Sequence, residues 1–432
     1  MKKLIAALLV LFSLTAFGQT VSPAKAIKVN GQRIEKRILE LAEFGKDSTG
    51  KGYRVAYTKG DQEGRAWFIS LMKQAGLEVT IDYAGNIIGR RKGKNPSLKP
   101  IAFGSHIDMV PNGGNYDGCV GSVSALEIIE VLNENKLATN HPLELIIFSN
   151  EEGGTVGSSM LVKLYNPDAL KAVSQSGLTI EEGIKAIGGN PDNLNQIIRS
   201  KGGLAAFIEL HIEQGGILEK ENIQIGVVEG IVGIRDWEIT IEGVANHAGT
   251  TPMNMRHDAL LAAAKLIVAV NEVITSYEGK QVGTIGKIRV EPGAYNVIPG
   301  KVVLGMEIRD IADEKIGQLF NDIEKKALAI AASSGTTISF RQSFVPIHPA
   351  LTDKTIQTKI VTAAKTLGLS YRYMQSGAGH DSQDMALIAP VGMIFVPSVG
   401  GISHSPKEFT KPVDITNGAN TLLQTILIID KE

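Results

Sequence analysis

The order of strands and helices changes twice along this chain, and that change limits its fold more than any other feature. Up to about residue 229, and again after Pro349, buried strands alternate with helices, a pattern typical of an α/β sheet covered by helices. Between these parts the strands alternate apolar and polar residues, in the ferredoxin-like order β-α-β-β-α-β. The sequence therefore predicts an α/β domain with a central mixed sheet, residues 19–229 and 347–432, interrupted by an inserted α+β domain, residues 230–346.

The N-terminus has the features of a secretory signal peptide. Residues 1–3 are a basic start, residues 4–17 are an apolar run, and Ala16-Phe17-Gly18 fits a small-x-small cleavage site. A buried N-terminal helix is the alternative. We exclude residues 1–18 from the fold and expect an exported protein, periplasmic or secreted. No other apolar stretch predicts a membrane span in the mature chain.

Composition argues against several other classes of protein. The formal net charge is −1 over 432 residues, so no basic excess points to nucleic acid. Cys119 is the only cysteine, so the monomer has no internal disulfide. An exported protein without disulfides depends for its stability on its core, on metal or on assembly.

Two adjacent glutamates, Glu151 and Glu152, follow a predicted buried strand over Leu143–Phe148. Neighbouring carboxylates repel each other and resist burial, so a solvated loop is the ordinary explanation for such a pair. A divalent metal ion would instead stabilise both of them. Because adjacent side chains diverge, one glutamate could bind metal while the other faces the water on that metal.

Further metal-competent side chains follow other predicted strands, and α/β sheets place ligands at strand ends. They are His106 and Asp108 in G-S-H-I-D, Asp117 in N-Y-D-G, His211 in E-L-H-I-E-Q-G and His404 in G-G-I-S-H-S. On an extended segment, the Asp108 carboxylate can hold the far nitrogen of His106. One histidine alone is more often structural, but together these residues predict a two-metal hydrolase. Histidine and carboxylate ligands favour Zn²⁺, with Mn²⁺, Co²⁺ or Ni²⁺ as alternatives.

Seven motifs carry a resemblance to one enzyme family, and they occur in the order of that family. They are G-S-H-I-D-M-V-P-N-G-G-N-Y-D-G, N-E-E-G, E-L-H-I-E-Q-G, A-N-H-A-G-T-T-P-M, N-V-I-P-G, G-A-G-H-D and G-G-I-S-H-S-P-K-E-F-T. The chain resembles the two-zinc amidohydrolases that include N-carbamoyl-L-amino-acid hydrolases, allantoate amidohydrolases and β-ureidopropionases. These enzymes are relatives of zinc aminoacylases and carboxypeptidases. The resemblance covers nearly all of the mature chain.

The resemblance implies that the α/β domain is catalytic and holds two metal ions. The implied ligands are His106 and His211 at one ion, Glu152 and His404 at the other, and Asp117 between them. Glu151 would be the general base that takes a proton from a bridging water and leaves a metal-bridged hydroxide. In peptidase relatives the position of His211 is usually a carboxylate. The histidine here, together with Gln214 as a substrate contact, resembles the ureido-cleaving branch.

The resemblance also implies that the inserted domain is a lid and the contact surface of a homodimer. His247 matches a residue that reaches a neighbouring subunit's active site, where it would stabilise the tetrahedral oxyanion. Asn296 and Arg309 match residues that hold the substrate carboxylate, a task that suits a bidentate arginine, and His380 resembles a further substrate contact. Taken alone, Asn296 could shape a turn, Arg309 could pair with its acidic neighbours, and His247 could be a loop residue.

The chain departs from the family pattern at three places. They are Met109, where the family commonly has Thr, residues 154–157, where many members have a Ser-Arg-Phe run, and Ile234, where Gln is common. No implied metal ligand is lost, so the departures leave hydrolysis intact, and the second and third of them concern the substrate. Three other histidines match no motif and are interpreted as structural: His141, His257 and His348.

The sequence thus predicts an exported, homodimeric dizinc amidohydrolase. Its substrate would be a small molecule with a carboxylate and a linear ureido or amide C–N bond, an N-carbamoyl-amino acid or allantoate. One alternative keeps the chemistry and makes the protein an exported dipeptidase, aminoacylase or carboxypeptidase, against which His211 and Gln214 argue. Another is an exported binding protein without turnover, against which an intact Glu151 argues. A metal-free structural module would be indifferent to chelators.

Overall fold

The computed structural model describes residues 27–343 and 346–432, and the predicted signal peptide lies outside these residues. The first part of the chain builds most of a large sheet and its covering helices. Its elements are α1 (Gly31–Leu41), α2 (Lys59–Gln74), β1 (Glu78–Ile81), β2 (Ile87–Arg91), β3 (Ile101–His106), α3 (Cys119–Glu134), β4 (Leu143–Phe148), α4 (Val156–Leu161), α5 (Ile180–Ala186), β5 (Ala206–Ile212), α6 (Ile217–Glu221) and β6 (Ile225–Ile231).

The middle of the chain builds a second, smaller sheet, and the last part returns to the first one. The middle elements are β7 (Gly233–Glu242), β8 (Asn246–His247), α7 (Ala259–Ser276), β9 (Val282–Glu291), β10 (Val297–Ile298), β11 (Lys301–Asp310), α8 (Asp313–Ser334) and β12 (Thr337–Gln342). The last elements are β13 (Ala350–Leu351), α9 (Lys354–Thr366), β14 (Tyr371–Ser376), α10 (Asp381–Met385), β15 (Val391–Val396) and α11 (Pro412–Ile429).

The large sheet has nine strands in the order β1-β2-β4-β3-β5-β15-β6-β13, with β14 also paired to β6. The four central strands β4, β3, β5 and β15 are parallel to one another, whereas β2 pairs antiparallel with β4, β6 with β15, β1 with β2 and β13 with β6. The predicted central mixed sheet is therefore confirmed. All residues of the four central strands are buried, which explains their mostly apolar sequences.

Helices cover both faces of the large sheet. In β4, Leu145 and Ile147 pack into a cluster with residues of α1, α2, α3, α9 and α11, whereas Ile146 and Phe148 pack with residues of α4 and α10. Alternate residues of a strand point to opposite faces, so each face of β4 needs its own apolar partners. This packing leaves the ends of the strands as the accessible part of the sheet.

The smaller sheet is antiparallel, in the order β12-β7-β11-β9. Helices α7 and α8 pack on it around a core of their own, in which the Trp237 and Phe320 rings stack with centroids 4.5 Å apart. With β7, α7, β9, β11, α8 and β12 in sequence, this part has the β-α-β-β-α-β order expected for residues 230–346. Among the described residues, α7 is the one helix long and apolar enough to cross a membrane. Its packing on this sheet accounts for its apolar face.

Candidate metal centre

Predicted ligands lie at the carboxyl ends of the four central parallel strands. His106 is the last residue of β3, Glu151 and Glu152 follow β4, His211 lies near the end of β5, and His404 lies in the loop after β15. Parallel neighbours end at the same edge of a sheet, which is where open α/β folds bind ligands. The fold therefore brings together residues that are far apart in sequence.

Asp117, in the loop before α3, lies between two groups of ligand atoms. Its Oδ1 is 3.0 Å from His211 Nε2 and 3.6 Å from His106 Nε2. Its Oδ2 is 3.4 Å from His404 Nε2, which is also 3.4 Å from Glu152 Oε2. Within each group the ligand atoms lie within 4.8 Å of one another. The five predicted ligands thus form two groups that share Asp117.

The space in front of His106 fits a bound cation. His106 Nε2 is buried and has no hydrogen-bond partner among the described residues, and an unpaired buried nitrogen is costly. Gly118 has a φ of 62°, and a Cβ at this position would lie 2.4 Å from His106 Nε2. Only glycine therefore leaves this nitrogen accessible. Imidazole nitrogens and carboxylate oxygens are the donor set of Zn²⁺ and related ions, so the residues present fit the predicted metal group.

The carboxyl groups of the centre influence one another strongly. Burial raises the pKa of Glu152 to about 7, and the charge of Asp117 adds to this shift. Burial also opposes ionisation of Asp117, but the charge of His211 and the close approach of the site histidines hold its pKa well below the usual range. The hydrogen bond to Asp117 raises the pKa of His404 to about 9. Without metal, protonated histidines balance the negative charge of these carboxylates. A bound divalent cation would balance it instead.

Glu151 and Glu152 diverge toward different histidines, as the sequence predicts for adjacent side chains. Glu151 Oε2 is 3.6 Å from His106 Nε2, whereas Glu152 Oε2 faces His404. Burial raises the pKa of Glu151 well above its usual value. Glu151 therefore lies beside one ligand group while Glu152 belongs to the other.

The Asp108 carboxylate holds the backbone of Glu151 and Glu152, the glutamate turn. The sequence instead predicts that this carboxylate holds the His106 ring. The two oxygens of the Asp108 carboxylate accept the backbone N–H groups of Glu151 and Glu152, at 3.3 and 3.2 Å. His106 Nδ1 is 3.1 Å from the backbone carbonyl of Asp108 but 3.7 Å from its carboxylate. Because the turn already engages the carboxylate, the backbone carbonyl orients the ring. Asp108 thus fixes His106 and both glutamates together.

Gln214 and His380, two predicted substrate contacts, lie at the same centre. Gln214 Nε2 donates to Asp117 Oδ2 at 2.6 Å, and its Oε1 is buried without a hydrogen-bond partner in the described part of the chain. The His380 ring packs edge-on against the His211 ring, with centroids 4.5 Å apart, and its Nε2 is 2.8 Å from Ser376 Oγ. Burial lowers the pKa of His380 well below its usual value, so its ring is neutral.

Glu408 is a buried residue of the centre that the sequence did not reveal. Its Oε1 accepts the backbone N–H groups of Tyr116 and Asp117, at 2.9 and 3.1 Å, and its Oε2 accepts the Ser403 hydroxyl at 2.9 Å. Glu408 therefore ties the loop of Asp117 to the loop of His404. It stands inside the motif G-G-I-S-H-S-P-K-E-F-T, which was the only available signal, and its spacing does not indicate this role.

His247 and Asn296 lie beside each other in the inserted part, away from the metal centre. Both are exposed, β8 pairs with β10, and the Asn296 carbonyl accepts the N–H of Ala248 at 2.9 Å. His247 Nδ1 accepts the N–H groups of Gly249 and Thr250, at 3.0 and 3.2 Å. In the neutral ring the proton is therefore on Nε2, which leaves a hydrogen-bond donor. No hydrogen bond among the described residues joins these side chains to the predicted ligands.

Arg309 bridges the inserted sheet and the loop that precedes His380. Its Nη1 donates to the Gly377 carbonyl at 2.7 Å. Its Nε and Nη2 donate to both carboxylate oxygens of Glu307, at 2.7 and 2.9 Å. Arg309 therefore forms the ion pair with an acidic neighbour that the sequence allowed as an alternative. The bidentate face of Arg309 is occupied by Glu307, although the side chain reaches toward the metal-binding part of the protein.

The three unassigned histidines make ordinary contacts. His141 Nδ1 is 2.7 Å from the Lys99 carbonyl, and His348 Nδ1 is 2.6 Å from the Asp313 carboxylate. The His257 ring lies so close to Gly335 that a Cβ there would be 2.1 Å from its Nδ1. These contacts support the structural interpretation.

Comparison with known proteins identifies the family. The model of peptidase family M20/M25/M40 matches residues 102–428. This chain belongs to that family. Family M20 enzymes depend on metal, which agrees with the clustered ligands. The resemblance that the seven motifs predict is therefore confirmed.

Named relatives of this M20 protein include ureido-cleaving enzymes. The chain is 39% identical over 412 residues to the N-carbamoyl-L-amino-acid amidohydrolase of Paenarthrobacter aurescens, covering 94% of this chain and 99% of the relative. It is 34% identical over 397 residues to the allantoate amidohydrolase of Escherichia coli K12, covering 90% of this chain and 96% of the relative. A hydantoinase/carbamoylase-family amidase from Burkholderia multivorans superposes with a TM-score of 0.87 at 36% identity, covering 94% of this chain and 100% of that one.

Proposed function

We propose that this protein is a metal-dependent amidohydrolase that cleaves the linear ureido C–N bond of a small acid, an N-carbamoyl-amino acid or allantoate. The observation that carries this proposal is the pair of ligand groups that share Asp117, with Glu151 beside one of them. The names of the relatives support the substrate class. The motif that contains His211 and Gln214 resembles the ureido-cleaving branch, which favours ureido cleavage over the dipeptidase and aminoacylase alternatives.

The two ligand groups would hold two divalent ions, and Zn²⁺ is the first expectation because three of the five ligands are histidines. Mn²⁺, Co²⁺ and Ni²⁺ suit the same donors. When bound, the ions supply Lewis-acid charge that polarises the ureido carbonyl and lowers the pKa of water. Asp108, Glu408 and Ser403 keep the ligands in place through hydrogen bonds to the turn and loops that carry them.

Glu151 has the position and environment of a general base. It would take a proton from the attacking water and pass it to the leaving nitrogen, as a carboxyl group with a raised pKa can do. The reaction consumes one water and converts an N-carbamoyl-amino acid to the amino acid, ammonia and CO₂. The same chemistry converts allantoate to ureidoglycine, ammonia and CO₂. His380 would contact the substrate as a neutral ring.

Residues 230–346 would act as the lid and as the contact surface of a homodimer. Two observations support this part of the proposal. His247, Asn296 and Arg309 lie outside the metal centre, so closure or a second subunit is needed to bring them to a substrate. Strand β9 is an edge strand of ten residues, and most of its side chains are exposed, which leaves its backbone open to pairing with another chain. Residues 1–18 would direct export to the periplasm or the medium.

Two assays of the purified mature chain, residues 19–432, test the proposal: ammonia release for the ureido substrates, and amino-acid release for the N-acetyl-amino acids and dipeptides. The protein is loaded with Zn²⁺ or Mn²⁺ and offered allantoate, N-carbamoyl-amino acids, N-acetyl-amino acids and dipeptides. We expect turnover of at least one ureido substrate and its loss in Glu151→Gln. Hydrolysis of only the acetyl or dipeptide substrates would overturn the ureido assignment. Bound metal without any turnover would favour a binding protein.

A further inference from the structure

A chain of buried polar groups lies behind the glutamate turn and has no part in the reaction proposed above. Ser158 belongs to α4, and Asp381 and Asp384 belong to α10. Ser158 Oγ is 2.6 Å from Asp381 Oδ1 and 2.8 Å from Asp384 Oδ2. Ser158 and Asp381 are fully buried, and Asp384 is 7% exposed. This contact joins the segment after Glu152 to the segment after His380.

These two short distances require one proton more than the serine has. A hydroxyl donates one hydrogen bond, and the Thr155 carbonyl, 3.1 Å from Ser158 Oγ, is a third acceptor, so Ser158 can serve at most one of the two carboxylates. The other contact would then set the lone pairs of the serine oxygen against those of a carboxylate. A carboxylic acid that donates to Ser158 Oγ removes this conflict. One of the two aspartates therefore carries a proton.

Asp381 is the aspartate better suited to hold that proton. The acidic groups that face Asp381 are Glu209 on β5, Glu151 after β4 and Asp384 on its own helix, and His106 is the nearby histidine. Glu209 accepts three hydrogen bonds, from the hydroxyl of Ser105 and from the N–H and hydroxyl of Ser382. Burial and the charge of Glu209 raise the pKa of Asp381 well above its usual value, whereas burial raises the pKa of Asp384 to about 6.

We propose that Asp381 is a neutral acid that donates to Ser158 and that Ser158 donates to Asp384. These two hydrogen bonds position the turn of Glu151 and Glu152. The inference rests on the function proposed for these glutamates. Helix α4 starts directly after the turn, and the Thr155 N–H donates to the Glu151 carbonyl at 2.8 Å. A displacement of α4 therefore moves the turn, which Asp108 holds from its other side.

Infrared spectroscopy tests the proton without requiring turnover. The difference spectrum between the wild type and Asp381→Asn at neutral pH should contain the C=O stretch of one protonated carboxylic acid. Asp168→Asn, an exposed aspartate, is the matched control and should give no such band. A wild-type minus Asp381→Asn spectrum without the acid band would overturn the proton assignment. This result is independent of whether the protein cleaves a ureido bond.

The positioning role is tested by a pair of serine variants. Ser158→Ala removes the link, and we expect kcat to fall by about 10-fold or more while KM changes by less than about 2-fold, because small displacements of reacting groups are costly. Ser158→Thr restores the hydroxyl and should recover most of the lost kcat. Metal content and unfolding temperature are measured for both. An unchanged kcat in Ser158→Ala, or a loss that Ser158→Thr does not recover, would overturn the positioning role.

Discussion

The metal centre and the inserted part differ in how firmly the fold holds their functional residues. His106, Asp117 and His211 are at most 4% exposed, and buried hydrogen bonds fix the loops around them. His247 and Asn296 are exposed, and Arg309 is paired with a neighbour on its own strand. One region is therefore assembled by folding alone. For the other region, we propose that a movement or a second subunit brings its residues to the site.

This difference suggests a division of work between the two regions. A site built on strand ends of a buried sheet can hold its geometry to a fraction of an ångström, as metal ligation and proton transfer require. Residues on a separate sheet can exclude water and recognise a substrate only after the two parts approach each other. Variants in the first region should therefore reduce metal binding or kcat, and variants in the second should act on closure and substrate affinity.

The largest effect is expected from Asp117→Asn. Loss of the shared carboxylate oxygens weakens both ligand groups, so metal content should fall at both positions, and activity should fall by about 10³-fold or more. Elemental analysis of the purified protein and ammonia release measure the two effects. Asp168→Asn makes the same change at an exposed site and should alter neither. Full metal content in Asp117→Asn would show that the two groups do not share this ligand.

Glu151→Gln should give the next largest effect, with a different signature. Glutamine keeps the shape of the side chain but cannot take a proton, so kcat should fall by about 10²- to 10⁴-fold. Metal content and KM should stay near the wild type. Glu181→Gln, on the exposed face of α5, is the control. Loss of metal in Glu151→Gln would make this residue a ligand and contradict the role of base.

Much of the first region could be predicted from sequence, for identifiable physical reasons. A strand buried on both faces is mostly apolar, and β4 has the predicted bounds Leu143–Phe148. Its polar successors must then lie at the sheet edge. The contact of Ser158 with Asp384, separated by 226 residues, has no periodic signal, because it depends on how α4 packs on α10. The hydrogen bonds of Asp108 to the glutamate turn likewise depend on a turn geometry that spacing does not encode.

The second region is tested most sharply by combining two inactive variants. His247→Ala should lower kcat by about 10²- to 10³-fold, the usual effect of losing one oxyanion donor. If His247 acts in the neighbouring subunit, mixed dimers of His247→Ala and Glu151→Gln contain one intact site. Equal mixing should then restore about a quarter of the wild-type activity, because half of the dimers are mixed and half of their sites are intact.

The outcome of this mixing experiment distinguishes the two ways in which the inserted part could serve the site. If His247 acts within its own chain, every site in a mixed dimer keeps one defect and activity stays at the level of the variants. His348→Ala, which removes an exposed histidine that pairs with Asp313, controls for the loss of a ring in general. An unchanged kcat in His247→Ala itself would contradict the oxyanion role.

The smallest effect is expected from Glu307→Gln, and it has the opposite sign. The pair with Arg309 is about one-third exposed, and such pairs contribute about 1 kcal/mol at most. Without Glu307, the guanidinium of Arg309 is free to donate two hydrogen bonds to a substrate carboxylate. KM should therefore fall by about 3-fold while kcat changes little. Glu291→Gln breaks a similar pair with Arg289 on β9 and should leave KM unchanged. A rise in KM would mean that Glu307 holds Arg309 in its binding orientation and does not compete with the substrate.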